Sequence, residues 1–389
     1  MDGEQLRQLG LVGLPLIAGL LVTALGLSTR PNPNAHAWVQ RLQRWLQPQI
    51  AGLASRFCLG AAGLAGLLAV FTTQDLVAGS EPRVVFNPWM WAELGVGRPL
   101  AFGFQFDALA GFCACISLFC ALMYHAYAQM QGRGAGTHAA VAIATSGALM
   151  VALSRSLWVA AVGWHLAGAA AIACVVLAAP TQAAKLTAGW WAHRRQRITD
   201  LLLWVTIVAL ASLAIGFDPL TVTALMQERS VLLSRSIAGL SLAVIAALCL
   251  LAATARRLLS VVSGPLGEPD AGGEVIRFVA GLGALALVCR LHMVVALAPG
   301  VMAGAAVFGI GLSLGGALIA AVATRNQARW LWLVHVGLVL IALGLGDWVL
   351  ACVIHAVTSL LLLGERWVGQ SFPASRAPRL VVGLGFCVL

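Results

Sequence analysis

The sequence predicts an all-α integral membrane protein, a bundle of about 11 to 12 transmembrane helices. Of its 389 residues, 60% are hydrophobic and only 10% are charged, and the mean hydropathy is +0.92. Long apolar runs follow one another along the chain, and about 20 residues at 1.5 Å each cross the hydrocarbon core. These runs lack the apolar–polar alternation of membrane strands, so their backbone groups must be satisfied by helical hydrogen bonds. The whole chain, 1–389, is therefore predicted to be a single membrane domain.

The predicted helices follow one another through mostly short connections. Their bounds are 9–28, 51–73, 106–130, 138–154, 157–178, 200–216, 236–254, 276–297, 300–323, 330–345 and 347–363. The apolar stretch from Leu380 to Leu389 is long enough for half of a further span. Asp2 and Glu4 precede the first helix, unlike the basic start of a signal peptide, so we expect this helix to remain in the protein.

The connection 29–50 predicts an amphipathic helix that lies in the membrane interface. Its large apolar residues share one helical face and its arginines point elsewhere: Trp38, Leu42, Trp45 and Leu46, against Arg41 and Arg44. An ordinary polar linker is the alternative interpretation of this segment.

Charge alternates between successive connections, and this predicts the topology. The single lysine, Lys185, and most arginines fall in odd-numbered connections, whereas the connection 74–105 is poorer in net positive charge. Since an excess of lysine and arginine marks the cytoplasmic side, we expect a multi-pass protein of the cell inner membrane with its N-terminus outside. The net charge of +10 then reflects topology, with membrane lipid as the surrounding and no nucleic-acid partner.

Two further segments carry local predictions. The outer loop 74–105 contains β-prone Val84–Phe86 and Leu100–Phe102 between prolines, which indicates a short hairpin. Gly311 and Gly315 form a small-xxx-small pair, which predicts close contact with a neighbouring helix.

Polar residues inside the predicted spans are few, and such groups are costly in lipid and usually functional. Those that titrate or carry charge are Asp107, His125, His165, Asp200, Arg277, Arg290, His292, His335, Asp347 and His355. His165, His335 and His355 lie well inside spans, where histidine suits a proton relay because its unperturbed pKa is about 6.5. The alternative is a neutral histidine that bonds a nearby carbonyl or hydroxyl group.

The sequence shows no catalytic constellation. No Ser-His-Asp or Cys-His-Asn arrangement is recognisable, and the nine cysteines all lie in apolar stretches without metal-ligand spacing. We therefore expect no catalytic residue, no metal site and no cofactor in this chain.

Several segments, in order over about 102–365, resemble signature motifs of antiporter-like membrane subunits. That family includes the large pumping subunits of complex I, the Mrp antiporter subunits and the DabB-type subunits of bacterial inorganic-carbon transporters. Leu157-Trp-Val-Ala-Ala-Val-Gly-Trp-His165 resembles the family's L-x-x-x-x-x-G-W-E helix, for example. The other matching segments are Phe102–Gly111, Ala179–Asp200, Gly264–Asp270, Leu287–Leu291, Val336–Gly346 and Ile354–Leu363.

The departures from the family pattern are specific. His165 stands where many members have the pumping glutamate, and Ser359 stands where the last motif places a lysine. Arg277 falls near a family histidine, but arginine stays protonated and cannot relay protons by titration. The resemblance therefore implies these ion-pathway candidates: His165, His335, His355, Asp107, Asp200, Arg197, Arg277, Ser359 and Asp347.

The resemblance implies a membrane subunit of an inorganic-carbon uptake complex. Such a subunit would couple a proton or sodium gradient to CO₂ hydration by a larger, carbonic-anhydrase-like partner, and any zinc would belong to that partner. The alternatives are a subunit of a complex I-type or Mrp-type cation pump, and a degenerate structural subunit without ion translocation.

Overall fold

The computed structural model describes residues 3–28, 36–79, 84–93, 99–179, 181–211, 234–259, 271–322 and 327–371. Its first helices are α1 (Gly3–Ser28), α2 (Ala37–Ala78), α3 (Ala108–Met130), α4 (Ala135–Leu153), α5 (Leu157–Ala178) and α6 (Gln182–Ala211). The later ones are α7 (Leu242–Leu259), α8 (Ala271–Arg290), α9 (His292–Ala296), α10 (Pro299–Val322), α11 (Gln327–Gly344) and α12 (Trp348–Ser371).

The described helices confirm the predicted membrane fold. Eight of them are long and apolar enough to cross a bilayer, and two shorter apolar helices occupy Trp330–Gly344 and Trp348–Gly364. Every predicted span falls at least partly on a described helix. Several predicted features lie wholly or partly outside the described residues, among them 29–35 of the interfacial segment, 80–83 and 94–98 of the outer loop, 212–216, Gly264–Asp270 and Leu380–Leu389.

The predicted outer hairpin is present and longer than expected. Strands β1 (Val84–Glu93) and β2 (Pro99–Phe106) pair antiparallel, with Val84 opposite Phe106. Phe104 forms a further bridge to Ser154 at the end of α4, so the hairpin is fixed to the helical bundle. A second hairpin joins β3 (Ser236–Ile237) to β4 (Leu240–Ser241) directly before α7.

Two predicted connections are helical. The segment that was expected to lie separately in the interface is the first part of α2, which continues through Pro48 into the membrane span. At 42 residues, α2 is about 63 Å long. Since the hydrocarbon core is only about 30 Å thick, the first part of α2 lies beyond that core. The connection 179–199 likewise belongs mostly to α6, which begins at Gln182.

Helix α8 lies at the centre of the bundle. It packs against α3, α4, α5, α7 and α12, and every residue from Phe278 to Val288 is buried. One hydrophobic cluster contains Phe278, Val279 and Leu282 of α8, and a second contains Leu285 and Val288. The helix therefore joins the α1–α4 part of the bundle to the later helices.

The glycine contact predicted for α10 was assigned to the wrong face. A Cβ added at Gly311 or Gly315 would meet nothing within 4 Å, so neither residue packs against a described helix. The close contact uses Gly309, where an added Cβ would lie 2.6 Å from the carbonyl oxygen of Gly337 on α11. Gly316, seven residues after Gly309, also faces α11, because residues seven apart return to the same side of a helix.

The packing of α8 against α12 can be tested through two cysteines. The sulfur atoms of Cys289 on α8 and Cys352 on α12 lie 3.6 Å apart, and both thiols are free. A disulfide requires about 2 Å between sulfurs, so a small adjustment of the side chains suffices. We expect copper–phenanthroline oxidation of the membrane-embedded protein to join these two residues, as detected by mass spectrometry of peptides.

The matched variants for this experiment are Cys352→Ser, which removes the cross-link, and Cys58→Ser, which retains it. Cross-linking of Cys289 to a different cysteine in the folded protein would contradict the packing of α8 on α12.

Candidate functional site

A buried pair of histidines lies where α11 contacts α12. His335 and His355 are both fully buried, and Nε2 of His335 lies 2.9 Å from Nδ1 of His355. The second nitrogen of His355, Nε2, lies 3.1 Å from the carbonyl oxygen of Phe278 on α8. The two imidazole rings are stacked, with centroids 5.1 Å apart. The structure thus brings together two of the residues selected from the sequence.

The Phe278 carbonyl determines which nitrogen of each ring carries a proton. A carbonyl oxygen only accepts hydrogen bonds, so Nε2 of His355 must donate. In a neutral His355 the other nitrogen, Nδ1, is then an acceptor, and Nε2 of His335 donates to it. This leaves a lone pair on Nδ1 of His335, which has no hydrogen-bond partner among the described residues. The pair would therefore accept a further proton at this atom.

Aromatic and small residues hold the pair in place. Trp332 packs against His335 with ring centroids 5.0 Å apart, and its indole donates to the carbonyl of Leu258 at 2.9 Å. Phe278 stacks on His355 at 5.4 Å. The imidazole of His355 also lies over Gly281, where a Cβ would come within 2.8 Å of Nε2.

Two other candidates lie close to the pair in sequence. Ser359 is one turn after His355 on α12, and its buried hydroxyl has no hydrogen-bond partner in the described part of the chain. Arg277 directly precedes Phe278 on α8 and is half-buried. The hydroxyl can both donate and accept, so it could take part in proton transfer, whereas the guanidinium only donates.

A second cluster forms around His165 on α5. Nε1 of Trp204 on α6 donates to Nε2 of His165 at 3.0 Å, and Nδ1 of His165 lies 3.4 Å from Oδ2 of Asp200. Gln196 donates to the other carboxylate oxygen of Asp200 at 2.6 Å. Since an indole N–H cannot accept, a proton on Nε2 of His165 would break its bond to Trp204. Nε2 of His165 is therefore the acceptor in this contact, and Nδ1 is the nitrogen that faces Asp200.

A buried arginine completes this second cluster. Arg257 of α7 donates to the carbonyl of Trp164 at 3.0 Å, and its guanidinium lies 4.1 Å from the centre of the Trp164 ring. The negative charge of Asp200 also stabilises the Arg257 cation electrostatically. Buried charges need such partners. The sequence analysis did not select Arg257, because hydropathy placed it beyond the end of its predicted span.

The contacts of Asp107 are those of a residue that holds helix ends in place. It is the N-cap of α3, where it accepts from the backbone N–H of Ala110 at 2.8 Å. Arg290, at the end of α8, forms an ion pair with Asp107 at 3.0 Å and donates to the carbonyl of Ala152. This bond network ties three helix ends together at the hairpin side of the bundle.

Two further candidates make their hydrogen bonds outside both histidine clusters. Asp347 is exposed and accepts from the backbone N–H of Leu350, so it caps the start of α12. Arg197 is exposed on α6 and donates to His193 at 3.2 Å, although it is only three residues from Asp200. The structure does not bring either residue to the other candidates.

The sequence analysis missed a second histidine pair. His125 on α3 and His138 on α4 are fully buried, with their Nδ1 atoms 3.0 Å apart. His138 was placed at the boundary of its predicted span, so it was not selected. The signal was present, since both histidines lie within about two turns of the connection 131–134 and adjacent antiparallel helices bring such positions together.

The described residues contain no group of three or more histidine, cysteine, aspartate or glutamate side chains that could hold a metal ion. The two histidine pairs and the His165 cluster therefore do not form a metal-binding set within this part of the chain.

No protein-family model matches the sequence, and no curated protein matches it. Solved structures do match the fold. One is a chain of the membrane-bound sulfane sulfur reductase, an archaeal respiratory membrane complex, with a TM-score of 0.67, 13% identity, and coverage of 93% of this chain and 56% of that chain. Another is a chain of the Mrp complex from Dietzia sp. DQ12-45-1b, with a TM-score of 0.65, 16% identity, and coverage of 96% of this chain and 38% of that chain.

These matches show the fold of the chain. The chain has the fold of a multi-pass subunit found in large membrane complexes, and it spans about half or less of the length of the two chains it matches.

The fit of His355 over α8 can be tested with Gly281→Ala. The new Cβ would lie 2.8 Å from Nε2 of His355 and 2.9 Å from Leu258, so the imidazole must move from the Phe278 carbonyl. We expect a loss of about 1 to 3 kcal/mol in the free energy of unfolding, as is usual for overpacking. Unfolding in mixed detergent–SDS micelles measures this loss.

Gly311→Ala on α10 is the matched control, because a Cβ there meets nothing within 4 Å. Equal stability of the two variants would show that His355 is not held against Gly281.

Proposed function

We propose that this chain is an antiporter-like subunit of a multisubunit, cation-translocating membrane complex. The observation that carries the proposal is the buried His335–His355 pair, whose Phe278 contact leaves one basic nitrogen at Nδ1 of His335. The shared fold supports it, because the two matching chains belong to the Mrp complex and to a respiratory membrane complex. The proposed role of the pair is to carry protons within the membrane.

Residue chemistry supports histidines as the proton carriers. The chain has a single lysine, Lys185, at the N-terminal end of α6. The arginines remain protonated and cannot relay protons. Arg257 and Arg290 are held by backbone carbonyls and by nearby carboxylates, which suits fixed charges. Among the basic side chains, histidine is therefore the one that can bind and release a proton inside the bundle.

The more specific hypothesis is an inorganic-carbon uptake complex with a zinc-containing, carbonic-anhydrase-like partner. It rests on the sequence resemblance and on a basic surface of α6, formed by exposed Arg194 and Arg197 with the half-buried Lys185 and Arg195, that suits an acidic partner. The structural matches are to respiratory and Mrp complexes, and they support the cation-pump alternative better than the inorganic-carbon hypothesis. Cell inner membrane localisation with the N-terminus outside remains part of the proposal.

The transport role is tested with His335→Gln. The glutamine amide nitrogen can replace Nε2 and still donate to His355, but the side chain cannot accept a proton. We expect normal assembly of the native complex and a loss of proton translocation on the order of 100-fold, the usual range for removal of a proton-transferring group. The measurement is dye-reported proton movement in proteoliposomes that contain the purified complex.

His36→Gln is the control for this variant, because His36 is exposed before α2. A His335→Gln complex that translocates protons at the wild-type rate would exclude the pair as a proton carrier.

The partner is tested by purification of the native complex in mild detergent, followed by metal and cofactor analysis. We expect large membrane partners without a zinc hydratase if the cation-pump proposal is correct. Co-purification of a soluble zinc protein that hydrates CO₂ would instead establish the inorganic-carbon hypothesis.

A further inference from the structure

The second histidine pair, His125–His138, has the properties of a proton-transfer site. Its Nδ1 atoms lie 3.0 Å apart, and the rings are stacked with centroids 5.3 Å apart. Neither Nε2 atom has a hydrogen-bond partner among the described residues, although both side chains are fully buried. A purely structural role does not explain these two buried nitrogens well, because unpaired polar atoms are costly in an apolar interior.

The hydrogen bond between the two rings requires one ring to donate and the other to accept. One Nδ1 must carry a proton and the other must accept it. In the neutral pair, one outer Nε2 is therefore an N–H donor and the other is a lone-pair acceptor. Among the described residues no carbonyl fixes the direction of this bond, in contrast to the bond in the His335–His355 pair. Either ring can therefore be the donor, and the contact between the two rings is the same in both tautomeric arrangements. Such a pair can accept a proton at one outer nitrogen and release one at the other.

The pair lies close to one face of the membrane. His125 is five residues before the end of α3 and His138 is three residues after the start of α4, so both are within about two turns of the connection 131–134. The charge alternation predicts this connection on the cytoplasmic side. The His335–His355 pair, in contrast, contacts α8 at Phe278, away from both ends of that helix.

Tyr124 and α8 connect the two pairs. The Tyr124 ring lies 5.6 Å from the ring of His125 and 6.0 Å from that of His138, measured between centroids. The Tyr124 hydroxyl lies over Gly272 at the start of α8, where an added Cβ would come within 2.7 Å of it. From Gly272 the helix rises about 9 Å to Phe278, whose carbonyl accepts from His355.

Polar side chains occur on this stretch of α8. Glu274 and Arg277 lie between Gly272 and Phe278, in a helix that is otherwise almost entirely apolar. Such residues within a span usually mark an ion or proton route. The start of α8 therefore places one titratable group, Glu274, and one fixed cation, Arg277, between the two histidine pairs.

We infer that His125–His138 is a proton-transfer pair that connects the membrane face at the α3–α4 turn to the His335–His355 pair along the start of α8. This inference rests on the proposed function and adds to it a route and a side from which protons enter.

Asparagine variants separate proton transfer from packing. The amide nitrogen of asparagine occupies nearly the position of Nδ1, so His125→Asn and His138→Asn can each retain the contact between α3 and α4. Asparagine has no counterpart of Nε2 and cannot be protonated. His292→Asn is the matched control, because His292 uses its Nδ1 for a contact with the Cys289 carbonyl at 2.8 Å and lies at the opposite end of α8.

The measurement is proton uptake from the α3–α4 side by the complete complex in oriented proteoliposomes, with and without the small weak acid azide. We expect each asparagine variant to assemble normally and to lose uptake on the order of 100-fold, and the His292→Asn complex to keep the wild-type rate. Azide should restore uptake in His125→Asn and His138→Asn because it carries protons past a missing site. It should not restore uptake in a variant whose packing is damaged.

The outcomes are distinct. Wild-type uptake in both asparagine variants, with His335→Gln inactive in the same assay, overturns the route but leaves the proposed function intact. Loss of uptake without azide rescue also overturns the route, because it shows a structural role. A wild-type complex that moves no cation overturns the proposed function and the inference together.

Discussion

The burial of the central part of α8, from Phe278 to Val288, is the constraint on which the rest of the bundle depends. Its apolar residues belong to both large hydrophobic clusters, so α8 joins the early and late helices, together with α4, α5 and α12, which also contribute to both clusters. Close approach requires small residues on α8: Gly281 faces His355, and Gly283 faces the backbone of Ala148 on α4. A helix that is surrounded by protein has its backbone carbonyls screened from both lipid and water. The Phe278 carbonyl can therefore serve as the hydrogen-bond acceptor of a buried side chain.

The cations of the bundle fall into two groups with different chemistry. Arg257 and Arg290 are permanently charged, and each is satisfied by a backbone carbonyl from another helix and by a carboxylate in its surroundings. They fix helix positions and supply a constant electrostatic field. The histidines of the two buried pairs are bonded mainly to one another or to a carbonyl. A bundle built in this way can change its charge at these pairs without losing the contact between their rings.

Hydropathy predicted the fold well because each span must satisfy its own backbone in lipid, which is a local requirement. The sequence signal for the outer hairpin was also local, since it consists of β-prone segments with neighbouring prolines. Which face of a helix meets a neighbour is not local, and this explains the wrong choice of Gly311 and Gly315 over Gly309 and Gly316. Small-residue spacing identifies a face that permits contact, but only the position of α11 decides which face is used.

The residues of the candidate site were also predicted only in part. Residue type alone selected His335 and His355, and their pairing follows from two adjacent antiparallel helices. The contact of His165 with Asp200 joins residues chosen separately. Trp204, Gln196 and the Phe278 carbonyl could not be selected, because a tryptophan, a glutamine or a backbone group has no distinctive sequence signal. Asp107 and Asp347 were chosen for their charge, and both prove to be helix caps, a role that a carboxylate just before a helix commonly has.

The Phe278 carbonyl gives the His335–His355 pair a direction. A neutral pair with both rings in the opposite tautomer would place a lone pair of His355 against the carbonyl oxygen. Two lone pairs in contact repel, so this arrangement of the pair has the higher energy. The backbone of α8 therefore favours one tautomer of each ring. The direction of the hydrogen bond between the rings is determined by a main-chain carbonyl and not by a side chain.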